Sequence, residues 1–108
     1  MSSKRPDAFS ALADPTRRSI LELLRDQPSL NAGEIAASYP HLSRPAVSKH
    51  LRVLRRARLV RAHSRGREVH YRLNSVPLAS LADWLAEFAD HWEQNLEQLK
   101  QQAEESTK

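Results

Sequence analysis

Leu42-Ser43-Arg44-Pro45-Ala46-Val47-Ser48-Lys49-His50-Leu51-Arg52-Val53-Leu54-Arg55-Arg56-Ala57-Arg58, running directly into Leu59-Val60-Arg61-Ala62-His63-Ser64-Arg65-Gly66-Arg67-Glu68-Val69-His70-Tyr71-Arg72-Leu73, decides the fold. Ser43 is a good helix N-cap and Pro45 is tolerated in a first turn, so a helix is expected from Ser43 to about Arg58. On a wheel anchored at Val47, residues Leu51 and Leu54 share its face, while Pro45, Ser48, Lys49, Arg52 and Arg56 point the opposite way. His50 falls at the edge of the apolar face and reads as a boundary histidine. One face packs and the other is polar and basic. From Leu59 the period changes to alternation on either side of Arg65-Gly66-Arg67, which predicts a two-stranded β-hairpin near residues 59–73. Gly66 is one of only two glycines in the chain, and it stands where a hairpin tip commonly needs positive φ.

Upstream, Ala8-Phe9-Ser10-Ala11-Leu12-Ala13 predicts a short helix, and Asp14-Pro15 supplies the start of a second: an Asp N-cap followed by Pro at the first helical position. Ile20, Leu21, Leu23 and Leu24 recur at helical spacing until Asp26-Gln27-Pro28 ends the run. Asn31 with Glu34 three positions on is a capping-box arrangement, opening a helix whose small apolar face is Ile35, Ala36 and Ala37. Tyr39-Pro40-His41-Leu42 is the break before Ser43. Two helices separated by a few residues and followed at once by a hairpin predict a winged helix-turn-helix, a mostly α fold of the α+β kind. Downstream of Asn74-Ser75-Val76-Pro77, one long helix is expected to about residue 102. Leu78, Leu81, Leu85, Phe88, Trp92 and Leu99 fall on heptad a and d positions, Asn95 interrupts a d position, Leu96 beside it keeps the stripe apolar, and Trp84 widens it. The expected organisation is a single domain over residues 1–108, with a core at about 7–75 and the C-terminal helix at about 76–102.

The charge is strongly segregated along these elements. Residues 1–40 carry five basic and five acidic groups, residues 41–75 ten and one, and residues 76–108 two and seven, within a chain of 108 residues at net +4. A 35-residue block of net +9 is an electrostatic footprint for a polyanion, and nucleic acid is the leading partner. An α-helix fits the major groove, and the N-terminal residues of a recognition helix reach base edges. Ser43, Arg44, Pro45, Ala46, Ser48 and Lys49 therefore form the candidate reading end: Arg and Lys can donate to guanine O6 and N7, and Ala46 can contact a thymine methyl. Arg52, Arg55 and Arg56 lie further along and suit phosphates. Arg65 and Arg67, on a narrow projection, suit phosphates or the minor groove. A protein-interaction or antirepressor module, whose basic helix meets an acidic partner, is the alternative. RNA or membrane-surface binding is weaker, because stacking aromatics and a spare apolar face are missing from the basic helix.

The sequence has no cysteine, so a disulfide framework, a thiolate zinc site and a cysteine nucleophile are excluded. His41, His63, His70 and His91 form no ligand cluster in sequence, and Asp90-His91 with Glu87 or Glu93 reads as a solvated helix face. No cofactor and no metal are expected. No Gly-rich phosphate loop and no catalytic triad spacing is present, so an enzyme is not expected. No apolar run approaches the roughly 20 residues of a membrane helix, and Met1-Ser2-Ser3-Lys4-Arg5-Pro6 leads into no signal core, which predicts a cytoplasmic protein. Two tryptophans, a phenylalanine and the leucines of the stripe on one helix exceed what a small domain can cover, which predicts a dimer.

Three stretches together resemble the ArsR/SmtB family of bacterial winged-helix repressors: Ala13-Asp14-Pro15-Thr16-Arg17-Arg18-Ser19-Ile20-Leu21-Glu22-Leu23-Leu24, Leu42 to Leu54, and Gly66-Arg67-Glu68-Val69-His70-Tyr71-Arg72-Leu73. The likeness covers about residues 7–75 in order. It implies a homodimer on a palindromic operator of double-stranded DNA, associated with the bacterial nucleoid, with the helix from Ser43 in the major groove and the hairpin as the wing. It also implies a dimer built from the first and last helices, which would bring Phe9 and Leu12 to the stripe of Leu81, Leu85, Phe88, Trp92, Leu96 and Leu99. Relatives that sense arsenite or soft metals use cysteines near the recognition region, and zinc sensors use Asp, His and Glu on the last helix. Neither pattern occurs here, which aligns the chain with the branch that senses no metal.

Overall fold

The structure, a computed structural model, describes residues 7–106. Its elements in chain order are α1 (Ala8–Leu12), α2 (Pro15–Asp26), β1 (Leu30–Asn31), α3 (Ala32–Ala37), α4 (Arg44–Arg56), β2 (Val60–Arg65), β3 (Glu68–Leu73), α5 (Val76–Ala86) and α6 (Ala89–Ser106). The chain divides after Leu78 into two compact units.

Local chemistry starts each early helix where the sequence predicts. Asp14 caps α2 by accepting the Arg17 backbone N–H at 3.0 Å, with Pro15 in the first turn. Asn31 and Glu34 complete a capping box on α3: Asn31 Oδ1 accepts the Glu34 N–H at 2.8 Å, and Glu34 Oε1 accepts the Asn31 N–H at 2.9 Å. Two arginines that could serve as free surface charges instead close the end of α1. Arg17 Nε donates to the Ala11 carbonyl at 2.7 Å, and Arg18 Nη1 donates to that of Leu12 at 2.7 Å. These guanidinium groups satisfy carbonyls that a helix end leaves without partners.

The core of the first unit lies among α2, α3, α4 and the start of β2. Ile20, Leu24, Ile35, Val47, Leu51, Leu54 and Leu59 are its largest fully enclosed side chains. Tyr39, in the break between α3 and α4, is also buried, and its hydroxyl pairs with Ser19 Oγ at 2.8 Å. Ala37 is exposed and Ala32 packs on the core in its place, because a six-residue helix turns its last position back to solvent.

The predicted two-stranded wing is corrected to a three-stranded antiparallel sheet of order β1-β3-β2. Leu30 and Asn31 pair with Tyr71 and His70, so the short segment before α3 is a strand. The hairpin itself pairs Val60 to Arg65 with Leu73 to Glu68 in continuous register. Of the two loop residues, only Gly66 has positive φ, at 64°, the pattern of a type II′ turn with glycine first. A Cβ there would meet nothing within 4 Å, so glycine answers to backbone conformation alone.

Helix α4 ends at Arg56, two residues before the expected Arg58. Arg58 takes the left-handed conformation, φ 63°, while its N–H bonds the Arg55 carbonyl at 2.9 Å and the Leu59 N–H bonds that of Leu54 at 3.0 Å. This is a Schellman ending, with buried Leu54 and Leu59 as its apolar partners. An arginine in the position that favours glycine costs about 1 kcal/mol.

The single long C-terminal helix is likewise corrected to two. Hydrogen bonding tightens at Glu87 and Phe88, whose N–H groups reach the carbonyls of Trp84 and Leu85, three residues back, and α6 resumes at Ala89. Trp84 and Phe88 meet edge to face across this joint with centroids 4.8 Å apart. Among the described residues after Leu78 none is buried. Among the described residues no helix is long and apolar enough to cross a membrane.

Candidate nucleic-acid interface

Helix α4 is set in place by its apolar side. Val47, Leu51 and Leu54 are buried and Val53 is half-buried, which fixes the rotation of the helix and turns Ser48, Lys49, Arg52, Arg55 and Arg56 outward. At its start Ser43 Oγ accepts the Ala46 N–H at 3.2 Å. Ser43, Arg44 and Pro45 are exposed, and Ala46 is half-buried at the edge of the same surface. Five basic residues and no acidic one lie between Arg44 and Arg56, so nothing on the helix neutralises its exposed side. The positive end of the helix dipole adds to this charge at Ser43.

The reading residues are not equally free. The guanidinium of Arg44 folds toward Gly33 in α3, where a Cβ added to that glycine would stand 3.9 Å from both terminal nitrogens. Lys49 and Ser48 are exposed beside it. His50 is half-buried, with Nδ1 at 3.5 Å from Arg17 Nη1 and 3.9 Å from Asp14 Oδ2. It joins the α2 cap to α4 and stands behind the reading surface. Burial pushes the Asp14 carboxyl up, but the Arg17 N–H and the nearby His50 and Arg17 charges outweigh it and hold the group below its ordinary 3.8.

The wing carries Arg65 and Arg67 exposed at its tip. Just behind the tip, the start of β3 is tied down by side chains that sequence reading did not single out for this role. Asn31 Nδ2 donates to Glu68 Oε2 at 2.7 Å, Glu68 Oε1 lies 3.4 Å from His70 Nε2, and His70 Nδ1 lies 3.2 Å from Ser29 Oγ. His70 is buried and faces His63 across the strands at 5.8 Å between ring centroids. Asn31 thus caps α3 and anchors the wing with one side chain. The capping box signalled the first duty, but only the β1–β3 pairing reveals the second. Among the described residues no group of three or more His, Cys, Asp or Glu side chains is placed to hold a metal ion.

The apolar stripe of the second unit is open. Leu85, Phe88, Trp92, Leu96 and Leu99 are 40–60% exposed and Leu81 is half-buried. Leu85, Ala86, Ala89, Trp92 and Leu96, with Glu93 at the rim, line a shallow groove on this face. In the first unit, Phe9 is 49% exposed, and Leu12 is half-buried against the core.

Residues 14–62 match the family model described as bacterial regulatory protein, arsR family. The chain is 34% identical over 90 residues to the transcriptional repressor SdpR of Bacillus subtilis, covering 83% of this chain and 98% of that one. It is 49% identical over 86 residues to the HTH-type transcriptional regulator Rv2034 of Mycobacterium tuberculosis, covering 79% and 78%. Among solved structures, an ArsR-like transcriptional regulator from Rhodococcus sp. RHA1 superposes with a TM-score of 0.67 at 36% identity over 86% of both chains.

Proposed function

The chain belongs to the ArsR family of bacterial regulatory proteins, DNA-binding transcriptional regulators, and from that premise we propose that it is a homodimeric repressor reading an inverted-repeat operator with α4 in the major groove. The observation that carries this reading is the outward side of α4: five basic residues, no acid, and a rotation fixed by buried Val47, Leu51 and Leu54. Ser43, Arg44, Pro45, Ala46, Ser48 and Lys49 form the end that enters the groove, with Lys49 and Arg44 as the principal base readers. Arg52 and Arg56 hold phosphates beside it, and Arg65 and Arg67 on the wing take the backbone or the minor groove. Sequence is read by the first group and register is set by the second. The DNA-binding unit is about residues 7–75, and residues 76–102 serve dimerisation through Leu81, Leu85, Phe88, Trp92, Leu96 and Leu99, with Phe9 and Leu12 contributing. No metal or cofactor enters this scheme, no catalysis is part of it, and the protein works in the bacterial cytoplasm on nucleoid DNA.

Binding to a selected duplex and to a scrambled one, across a salt series, tests the assignment of roles. Lys49→Ala and Arg44→Ala should each cost about 1–3 kcal/mol on the selected duplex and far less on the scrambled one. Arg65→Ala should weaken both alike and lower the salt slope by about 1. Equal losses from all three on both duplexes would contradict the division into readers and phosphate contacts. Binding only to an acidic protein, with no duplex preferred, would favour the interaction-module alternative.

A further inference from the structure

At the far end of α4, Arg58 and Arg61 carry the positive charge beyond the residues assigned to DNA, with Arg55 at the junction. Arg55, Arg58 and Arg61 line one groove of about 350 Å³ together with Asn74. Its helical member, Arg55, is eleven residues beyond Arg44, about 16 Å along the helix axis. Strand β2 starts here and runs toward the wing tip, so the groove sits at the wing root.

Two features at Arg58 and Arg61 work against folding. Arg58 holds a left-handed backbone, φ 63°, that glycine would take without strain. Arg61 stands directly opposite Arg72 in the β2–β3 register, a like-charged cross-strand pair. No acidic side chain among the described residues forms an ion pair with Arg55, Arg58, Arg61 or Arg72. The loop that carries them is nonetheless rigidly held: Asn74 Nδ2 donates to the Arg58 carbonyl at 2.7 Å, and the Asn74 N–H to that of Leu59 at 2.9 Å. Strain and repulsion kept in a well-fixed place point to function.

We propose that this groove is an anion site for a small phosphorylated ligand, centred on Arg58 and Arg61 and adjoining the DNA-reading surface at Arg55. Guanidinium groups match phosphate oxygens in a planar fork, and a phosphate held by Arg58 and Arg61 would offset positive charge that no acidic side chain pairs with among the described residues. The concave shape and the volume suit a small ligand, and Arg58 and Arg61, which lie beyond the end of α4, have no part in the proposed duplex contacts. The site does not depend on the operator proposal, because it is defined by binding at Arg58 and Arg61 alone.

The test is a ¹H–¹⁵N titration of the full chain with inorganic pyrophosphate at constant ionic strength. Saturable shifts are expected at Arg58, Arg61 and the Asn74 side-chain amide, and they should leave Ser48, Lys49 and Gly66 unmoved. Arg58→Gly and Arg61→Thr should each weaken pyrophosphate binding at least about tenfold, the loss of one charge-assisted contact. Both should keep duplex affinity within about twofold. Arg58→Gly should also raise the thermal midpoint, which would separate lost binding from lost folding. Unchanged pyrophosphate affinity in either variant overturns the proposal, as do shifts confined to the reading end. Silence toward pyrophosphate, with shifts at Arg58 and Arg61 when a second duplex is added to the DNA complex, would assign the groove to DNA backbone and overturn it as well.

Discussion

Up to Leu78, seven large side chains, including Ile20, Leu24 and Leu54, are less than 2% exposed, whereas after Leu78 the large residues Trp84, Leu85, Phe88, Trp92, Leu96 and Leu99 are all at least 40% exposed. Both segments are helical and both carry apolar residues at helical spacing. The difference is that α2, α3 and α4 each offer their apolar faces to one another and to the sheet, while α5 and α6 are left with a face that nothing in their own unit covers. Periodicity states which face of a helix wants to be buried, and only tertiary partners decide whether it is. The first unit is self-sufficient in this sense. The second leaves its apolar face open, and the proposal assigns that face to a second copy.

Breaking each side of this contrast should have different consequences. The largest effect is expected from Leu54→Ala, which opens a cavity where α4 packs and where Leu54 also anchors the Schellman ending. Urea unfolding should show a loss of about 3 kcal/mol. Trp92→Glu lies on the open side and should leave the near-UV signature of the first unit intact. Sedimentation should show dissociation to monomers, and affinity for a two-half-site duplex should fall about a hundredfold as the linkage between half-sites is lost. A monomer with undiminished operator affinity would break the comparison.

A smaller and sharper effect concerns Asp14, which begins α2 and meets His50 of α4. Asp14→Ala should cost about 1 kcal/mol as a lost N-cap. The folded state holds this carboxyl below its ordinary 3.8, so its charged form adds stability above that pH, and the contribution fades as pH falls through the lowered folded value. Asp14→Asn keeps the cap and should flatten the acid limb of a stability profile below about pH 4. An unchanged acid limb in Asp14→Asn would remove Asp14 from the account of acid sensitivity.

What the sequence discloses follows the same division. Caps at Asp14, Asn31 and Ser43 and the tip at Gly66 are local, set by residues within three positions of one another, and each is found where its residue types demand. The outward set on α4 is equally legible, because three buried residues fix its wheel. β1 is not legible: two residues carry no alternation, and Leu30 and Asn31 become a strand only by meeting Tyr71 and His70 about forty positions away. The joint at Glu87 and Phe88 is hidden because the heptad spacing runs through it without a glycine or proline. The end of α4 is hidden for the opposite reason, since Arg58 occupies a conformation that its side chain does not advertise. In the candidate interface, the tie from Asn31 to Glu68 needed the strand pairing before it could be seen.

The central claim is that α4 and the wing, presented twice by a dimer, read an inverted repeat. Selection of bound duplexes from a random library by the full chain tests it most directly. The account predicts an enriched inverted repeat with half-site centres about one helical turn apart, or a multiple of it, bound at salt concentrations that release a scrambled duplex. Binding that falls with salt equally for every sequence, with no enriched motif, would contradict it.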